Sequence, residues 1–194
     1  MLKIGDKIPN INVTTHKGET INFGQFKGQK IILFFYPRAN TPGCTAQSCN
    51  LNDNYLRLKS QGYEVIGVSP DTVDKQNKFA QKFGFKYNLL ADDSKEIIKA
   101  FGVWGMKKFR GNEYEGVLRT TFLINEEGVI DRVIDKVKTM ENKSIITIEG
   151  TETFRVVDNS ILMDNKGNFK IPTGTVTVKG NVYTAGAVQP EKLF

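Results

Sequence analysis

Apolar and polar positions along the chain fall into two regimes. Residues 31–36 form an unbroken apolar run, the pattern of a strand covered on both faces at the centre of a sheet. Residues 63–69, Tyr-Glu-Val-Ile-Gly-Val-Ser, predict a second such strand. Between them, residues 45–59 have helical spacing, with Leu51, Tyr55, Leu56 and Leu58 as the inward stripe and Gly62 as the stop. A second helix follows, capped by Asp71 or Thr72, burying Phe79, Ala80 and Phe83 and ended by Gly84. Residues 88–91 predict a short strand, and residues 94–101 a short helix capped by Ser94. Before the first apolar run, residues 11–15 and 20–23 predict two short strands around a turn at Lys17-Gly18, and residues 24–29 a loop. Residues 102–116 show no period. Residues 118–125 and 129–136 predict a hairpin across Asn125-Glu126-Glu127-Gly128. Trp104, Phe101 and Met106 are expected to pack in the core or under loops, and Phe122 and Ile124 on the inner face of a strand. Together these elements predict an α/β domain over residues 1–139, a thioredoxin-like fold with a mixed central sheet flanked by helices.

After residue 139 the pattern changes. Apolar stretches at 144–149, 153–157, 161–163, 169–171, 175–178 and 182–184 are separated by turn sequences, Asp164-Asn165-Lys166-Gly167 and Lys179-Gly180-Asn181 among them, with no helical period. Residues 140–194 are therefore expected to form a C-terminal all-β extension. At about 55 residues its independent core is marginal, so its strands need a surface to cover. Either the sheet face of the first domain or the tail of a second subunit, in a homodimer, would serve.

Composition narrows the function. With 194 residues, 39% hydrophobic and 25% charged, the chain suits one ordinary domain with some sequence to spare. No stretch approaches the ~18 apolar residues of a membrane span, and the first residues lack a secretion signal, so a cytoplasmic, reducing location is expected. The net charge of +6 is spread along the chain, and no basic patch interleaved with aromatics suggests nucleic acid. Lys107-Lys108-Phe109-Arg110, the densest cluster, reads as a solvated loop. Asn12 and Asn142 fit a glycosylation pattern that means little without a secretory route. The single histidine, His16, is expected exposed in a turn, and with two cysteines it makes no metal set.

Both cysteines lie in one stretch. Phe35-Tyr36-Pro37-Arg38-Ala39-Asn40-Thr41-Pro42-Gly43-Cys44 runs from the first buried strand through two prolines and a glycine into the first helix, and Cys49 follows. A cysteine at a helix start sits among unpaired N–H groups at the positive end of the dipole, which favours thiolate, the nucleophilic form. In a reducing compartment such a pair is redox-active or catalytic rather than a staple. Five residues on an α-helix correspond to about 7.5 Å of rise and about 140° of rotation. The two Cα atoms are then roughly 8 to 9 Å apart, beyond the roughly 7 Å a disulfide spans, so Cys44 and Cys49 join only if the helix unwinds.

With Pro37, Thr41, Cys44, Cys49 and Arg119 in view, the chain resembles the peroxiredoxins, in the bacterioferritin comigratory protein or Q-type branch. The resemblance covers residues 4–139 and rests on Phe35-Tyr36-Pro37, Asn40-Thr41-Pro42-Gly43-Cys44-Thr45, Val68-Ser69-Pro70-Asp71 and Arg119-Thr120-Thr121-Phe122-Leu123-Ile124. It implies a thiol peroxidase that reduces hydrogen peroxide and organic hydroperoxides with no metal and no organic cofactor. Cys44 would be the peroxidatic cysteine, oxidised to a sulfenic acid, and Cys49 the resolving one. Thr41 would aim its hydroxyl at the sulfur, Arg119 would stabilise thiolate and peroxide oxygens, and Pro37 would wall the site from water. Thioredoxin or a similar thiol would be the reductant. The resemblance fails at the tail, where a final amphipathic helix is expected and strands stand instead. Three alternatives remain: Cys49 as a spectator with an external thiol resolving Cys44, a disulfide reductase, disfavoured because the spacing is not Cys-x-x-Cys, and a peroxide sensor whose β tail docks a partner. The peroxide reading requires Arg119 beside Cys44 and a sulfur that a small oxidant can reach.

Overall fold

The computed structural model describes residues 1–109 and 111–135, and beyond them only the backbone of strands between residues 145 and 184. In chain order the elements are β1 (Asn12–Thr15), β2 (Thr20–Asn22), a 3-10 turn (Phe23–Phe26), β3 (Lys30–Phe35), α1 (Pro42–Ser60), β4 (Tyr63–Ser69), α2 (Val73–Phe83), β5 (Asn88–Ala91), α3 (Glu96–Ala100), β6 (Trp104–Phe109), β7 (Asn112–Val117), β8 (Thr120–Ile124) and β9 (Ile130–Asp135). Seven strands form one sheet in the order β2-β1-β5-β4-β3-β8-β9. β3, β4 and β5 run parallel, while β8 pairs antiparallel with β3 and β9 with β8. The mixed thioredoxin-like architecture expected from the sequence is the one observed.

Side-chain alternation along β3 explains why both faces are covered. Ile32, Phe34 and Tyr36 point to a core built with Leu51, Tyr55 and Leu58 of α1 and Phe79 and Ala80 of α2. Ile31, Leu33 and Phe35 point the other way, to Phe23, Phe26, Ile97, Ile98 and Phe101. Gly67 lies opposite Phe34 in the parallel register, and a Cβ there would stand 2.7 Å from the Phe34 ring and 2.8 Å from a Leu89 methyl. Only glycine lets that ring cross β4.

Several elements depart from expectation. Residues 23–26 form a 3-10 turn where a loop is expected. Leu56 is 67% exposed, because it sits about 100° from Tyr55 around the helix and away from the stripe of Leu51, Tyr55 and Leu58. The N-cap of α3 is Lys95 (φ +62°) rather than Ser94, and the Asp92 carboxylate accepts from the Glu96 and Ile98 N–H groups at 2.9 and 2.8 Å. The region 102–116 forms a hairpin, β6 against β7, with Lys107 opposite Tyr114. On it Met106 is exposed rather than packed, while Trp104 is half-buried. His16 is buried, not exposed: its N–H donates to the Leu89 carbonyl at 2.7 Å and its Nδ1 accepts from the Leu89 N–H at 3.2 Å. Burial lowers its pKa, with the Lys17 charge acting in the same direction.

The extension contributes β10 (Ile145–Ile148), β11 (Glu152–Asp158), β12 (Ile161–Met163), β13 (Phe169–Lys170), β14 (Thr175–Val178) and β15 (Asn181–Thr184). β10 to β13 form an antiparallel meander and β14 with β15 a separate pair, so these segments are strands as the pattern predicts. The domain boundary at 139/140 and the turn at 164–167 lie outside the described residues.

Candidate active site

β3, an interior strand between β4 and β8, ends at Phe35, and the chain continues through Tyr36 and Pro37 to Thr41, the N-cap of α1. Asn40 takes a left-handed conformation (φ +58°), a short polar residue where glycine would be usual, and its side chain accepts from Lys82 Nζ at 2.9 Å. Pro42 opens the helix, where its missing N–H costs nothing. Cys44 follows in the first turn, with its side chain fully buried.

The antiparallel pairing of Phe35 with Thr120 brings the start of β8 beside the end of β3. Arg119, one residue before β8, thereby meets a helix 75 positions earlier in the sequence. Its Nη2 donates to Cys44 Sγ at 3.2 Å, and its Nη1 donates to Gln47 Oε1 at 2.8 Å. Cys44 and Gln47 are three residues apart and so share one helix face. Two arms of one guanidinium therefore hold one turn of α1. Gln47 was not singled out by sequence, although the i, i+3 spacing from a candidate nucleophile was a signal available there.

Behind this pair lies a buried polar relay. The Tyr36 hydroxyl donates to Gln76 Oε1, and Gln76 Nε2 donates to Ser69 Oγ at 2.8 Å and to the Leu90 carbonyl at 2.9 Å. Ser69 Oγ donates to Asp71 Oδ2 at 2.8 Å, which also accepts from the Ala39 N–H at 2.6 Å. Burial raises the Tyr36 pKa, opposed by its Ser69 and Gln76 bonds, and the Asp71 and Cys44 charges add to the rise, so the phenol stays protonated. Asp71, expected as a helix cap, instead ties the loop that carries Thr41 to the end of β4. Thr72 is the N-cap of α2, without a side-chain bond.

The expected site residues are distributed as follows. Cys44 and Arg119 are in contact. Thr41 stands at the N-cap, but its hydroxyl donates to the Arg38 carbonyl at 3.1 Å rather than to the sulfur. Pro37 is half-buried where the chain leaves β3. Cys49 is half-buried and shares α1 with Cys44; the two are not joined by a disulfide and intact helix separates them. Cys44 offers no surface to solvent, so the open approach to the sulfur that the sequence reading expects is closed in this conformation. Lys107, assigned to a solvated loop from sequence, is half-buried in β6 with its Nζ on the Val117 carbonyl at 3.0 Å. Among the described residues no group of three or more His, Cys, Asp or Glu could hold a metal, and no helix is long and apolar enough to cross a membrane.

Comparison with known proteins bears on the family and the fold. Residues 4–133 match the model of the AhpC/TSA family. The chain is 41% identical over 145 residues to peroxiredoxin Bcp of Escherichia coli K12, covering 75% of this chain and 93% of that one. It is 39% identical over 141 residues to peroxiredoxin Bcp of Bacillus subtilis, covering 73% and 90%. Among solved structures, a variant of Xanthomonas campestris peroxiredoxin Q aligns at TM-score 0.64 and 29% identity over 66% of this chain and 82% of that one. The peroxidoxin BcpB of Mycobacterium tuberculosis aligns at TM-score 0.62 and 32% identity over 70% and 86%.

Proposed function

The chain belongs to the AhpC/TSA family, as a peroxiredoxin of the Bcp or Q branch, and from that premise we propose that Cys44 is the peroxidatic cysteine of a thiol peroxidase acting on hydroperoxides. The contact between Arg119 Nη2 and Cys44 Sγ, 3.2 Å at the first turn of α1, carries the assignment. A solved Xanthomonas campestris relative is described by its alkyl peroxide reduction activity, which supports organic hydroperoxides among the substrates.

In the first step the Cys44 thiolate attacks one peroxide oxygen. An S–O bond forms to the terminal oxygen, which keeps its proton, the O–O bond breaks, and the leaving oxygen takes from solvent the proton that the thiol gave up on ionising, departing as alcohol or water. Sulfur is oxidised to the sulfenic acid and the peroxide is reduced by two electrons. Negative charge moves from sulfur to the leaving oxygen, and Arg119, already alongside, stays close to both. Thr41 turns its hydroxyl from Arg38 toward the incoming peroxide, and Pro37 limits water at the opening.

In the second step Cys49 attacks the sulfenic sulfur and water leaves. Both cysteines lie on α1, so its first turns unwind before the disulfide closes. Thioredoxin or a similar dithiol then restores both thiols. The enzyme works in the cytoplasm, and residues 140–194 form a separate β unit that covers the first domain or pairs with a second copy.

Peroxide consumption coupled to thioredoxin oxidation tests the first reading: Cys44→Ser abolishes turnover. A single stoichiometric oxidation without recycling would instead mark a peroxide sensor. Mass spectrometry after one equivalent of peroxide tests the second step, where a lasting sulfenic acid with no intrachain disulfide rejects Cys49 as resolver. Truncation near residue 139 tests the tail; a shortened chain that remains fully stable and unchanged in oligomeric state rejects both of its roles.

A further inference from the structure

The hairpin β6–β7 spends an unusual amount of structure on one lysine. Lys108 reaches outward toward exposed Glu113 at 3.8 Å. Lys107, its neighbour, turns inward and passes over Gly116: a Cβ at that glycine would stand 3.3 Å from Lys107 Cδ and 3.4 Å from the Tyr114 ring. The missing side chain at Gly116 thus opens the passage for the lysine stem, with the Tyr114 ring centroid 6.0 Å from the ammonium. The ammonium ends on the carbonyl of Val117, a buried residue two positions before Arg119.

We propose that Lys107 is a positioning residue for the peroxidatic centre, pinning through the Val117 carbonyl the backbone that presents Arg119. The proposal rests on Cys44 being the peroxidatic cysteine. Burial lowers the Lys107 pKa, the Arg119 charge lowers it further, and the Cys44 charge raises it. Around this cluster Tyr114 faces the lysine from β7 and Tyr36 lies behind the sulfur, both phenols, while Glu113 and Glu115 of β7 are exposed to solvent.

The test compares the full chain, Lys107→Met, Lys107→Arg and Gly116→Ala, each with Cys49→Ser so that only Cys44 reacts. The rate of Cys44 alkylation by iodoacetamide is followed across pH, with melting temperature as the control for folding. Lys107→Met, which takes the ammonium off the Val117 carbonyl and frees the strand before Arg119, is expected to slow alkylation at neutral pH on the order of tenfold, equivalent to about 1.4 kcal/mol. Lys107→Arg restores the profile, and Gly116→Ala, which crowds the lysine stem, moves it in the same direction as Lys107→Met. An unmoved profile in Lys107→Met, or a shift that arginine fails to reverse, overturns the role of the lysine. Alkylation needs no peroxide, so a loss of peroxidase turnover in the unaltered chain would count against the peroxidatic reading and not against this one.

Discussion

Replacing Tyr87 with phenylalanine tests how α1 opens. Tyr87 is buried immediately before β5, with its ring 5.4 Å from that of Phe85 and 6.0 Å from that of Tyr55, contacts that phenylalanine keeps. Only the hydroxyl is lost, and it donates to the Ser48 carbonyl at 2.8 Å, on the turn between Cys44 and Cys49. That carbonyl is also placed to accept the helical N–H four residues on, so deletion leaves no orphaned acceptor while the helix is intact. The loss then takes the low end of the range for a buried bond, about 1 kcal/mol. The bond exists only while the turn is wound, so unwinding becomes about fivefold more favourable. Quenched-flow alkylation with mass spectrometry separates sulfenic acid formation from disulfide closure. Tyr87→Phe should leave the first step unchanged, quicken the second about fivefold, and lower the melting temperature by about 2–4 °C. A lowered melting temperature with an unchanged closure rate would show that the Ser48 turn stays wound during resolution, and the reasoning would be wrong.

Three further outcomes are expected. Asp71→Ala leaves the Ala39 N–H and the Ser69 hydroxyl without their buried carboxylate, which costs about 1–3 kcal/mol per group in urea unfolding and slows peroxide reduction by freeing the loop before α1. His16 is held neutral in the fold, with a pKa below its ordinary 6.5; its contribution to stability is complete above that value and declines as pH falls from 6.5 through the lowered folded value. Subtracting the stability–pH curve of His16→Gln from that of the unaltered chain should expose this acid-side loss, and a flat difference would refute it. Gly67→Ala forces a Cβ against Phe34 and Leu89 and should destabilise by about 1–3 kcal/mol in the same unfolding assay.

The parts legible in the sequence are those written in local pattern. β3 and β4 are apolar on both faces, and Pro37, Thr41, Pro42 and Cys44 sit at one strand-to-helix passage, so sheet centre and nucleophile could be read together. The pairing of Arg119 with Cys44 needed the resemblance, since only the β3–β8 register brings them side by side. What escaped depends on distant partners. His16 is buried because the β1–β5 pairing brings it to Leu89, 73 positions away. Lys107 and Lys108 make β6 look solvated, and the hairpin depends on a turn at Gly111 with φ +86°. Gln76 reads as an ordinary helix-surface amide until Ser69, Tyr36 and the Leu90 carbonyl surround it.

The double grip of Arg119 on Cys44 and Gln47 has a consequence for how the protein meets a rising dose of oxidant. On the proposed mechanism one side chain both speeds the strike on peroxide and keeps the struck residue clamped, so haste in the first event prolongs the interval before the second. During that interval a further peroxide can drive the sulfur past the point that thiols repair. Tightening the clamp would therefore yield a faster scavenger at low oxidant and a more easily disabled one in excess.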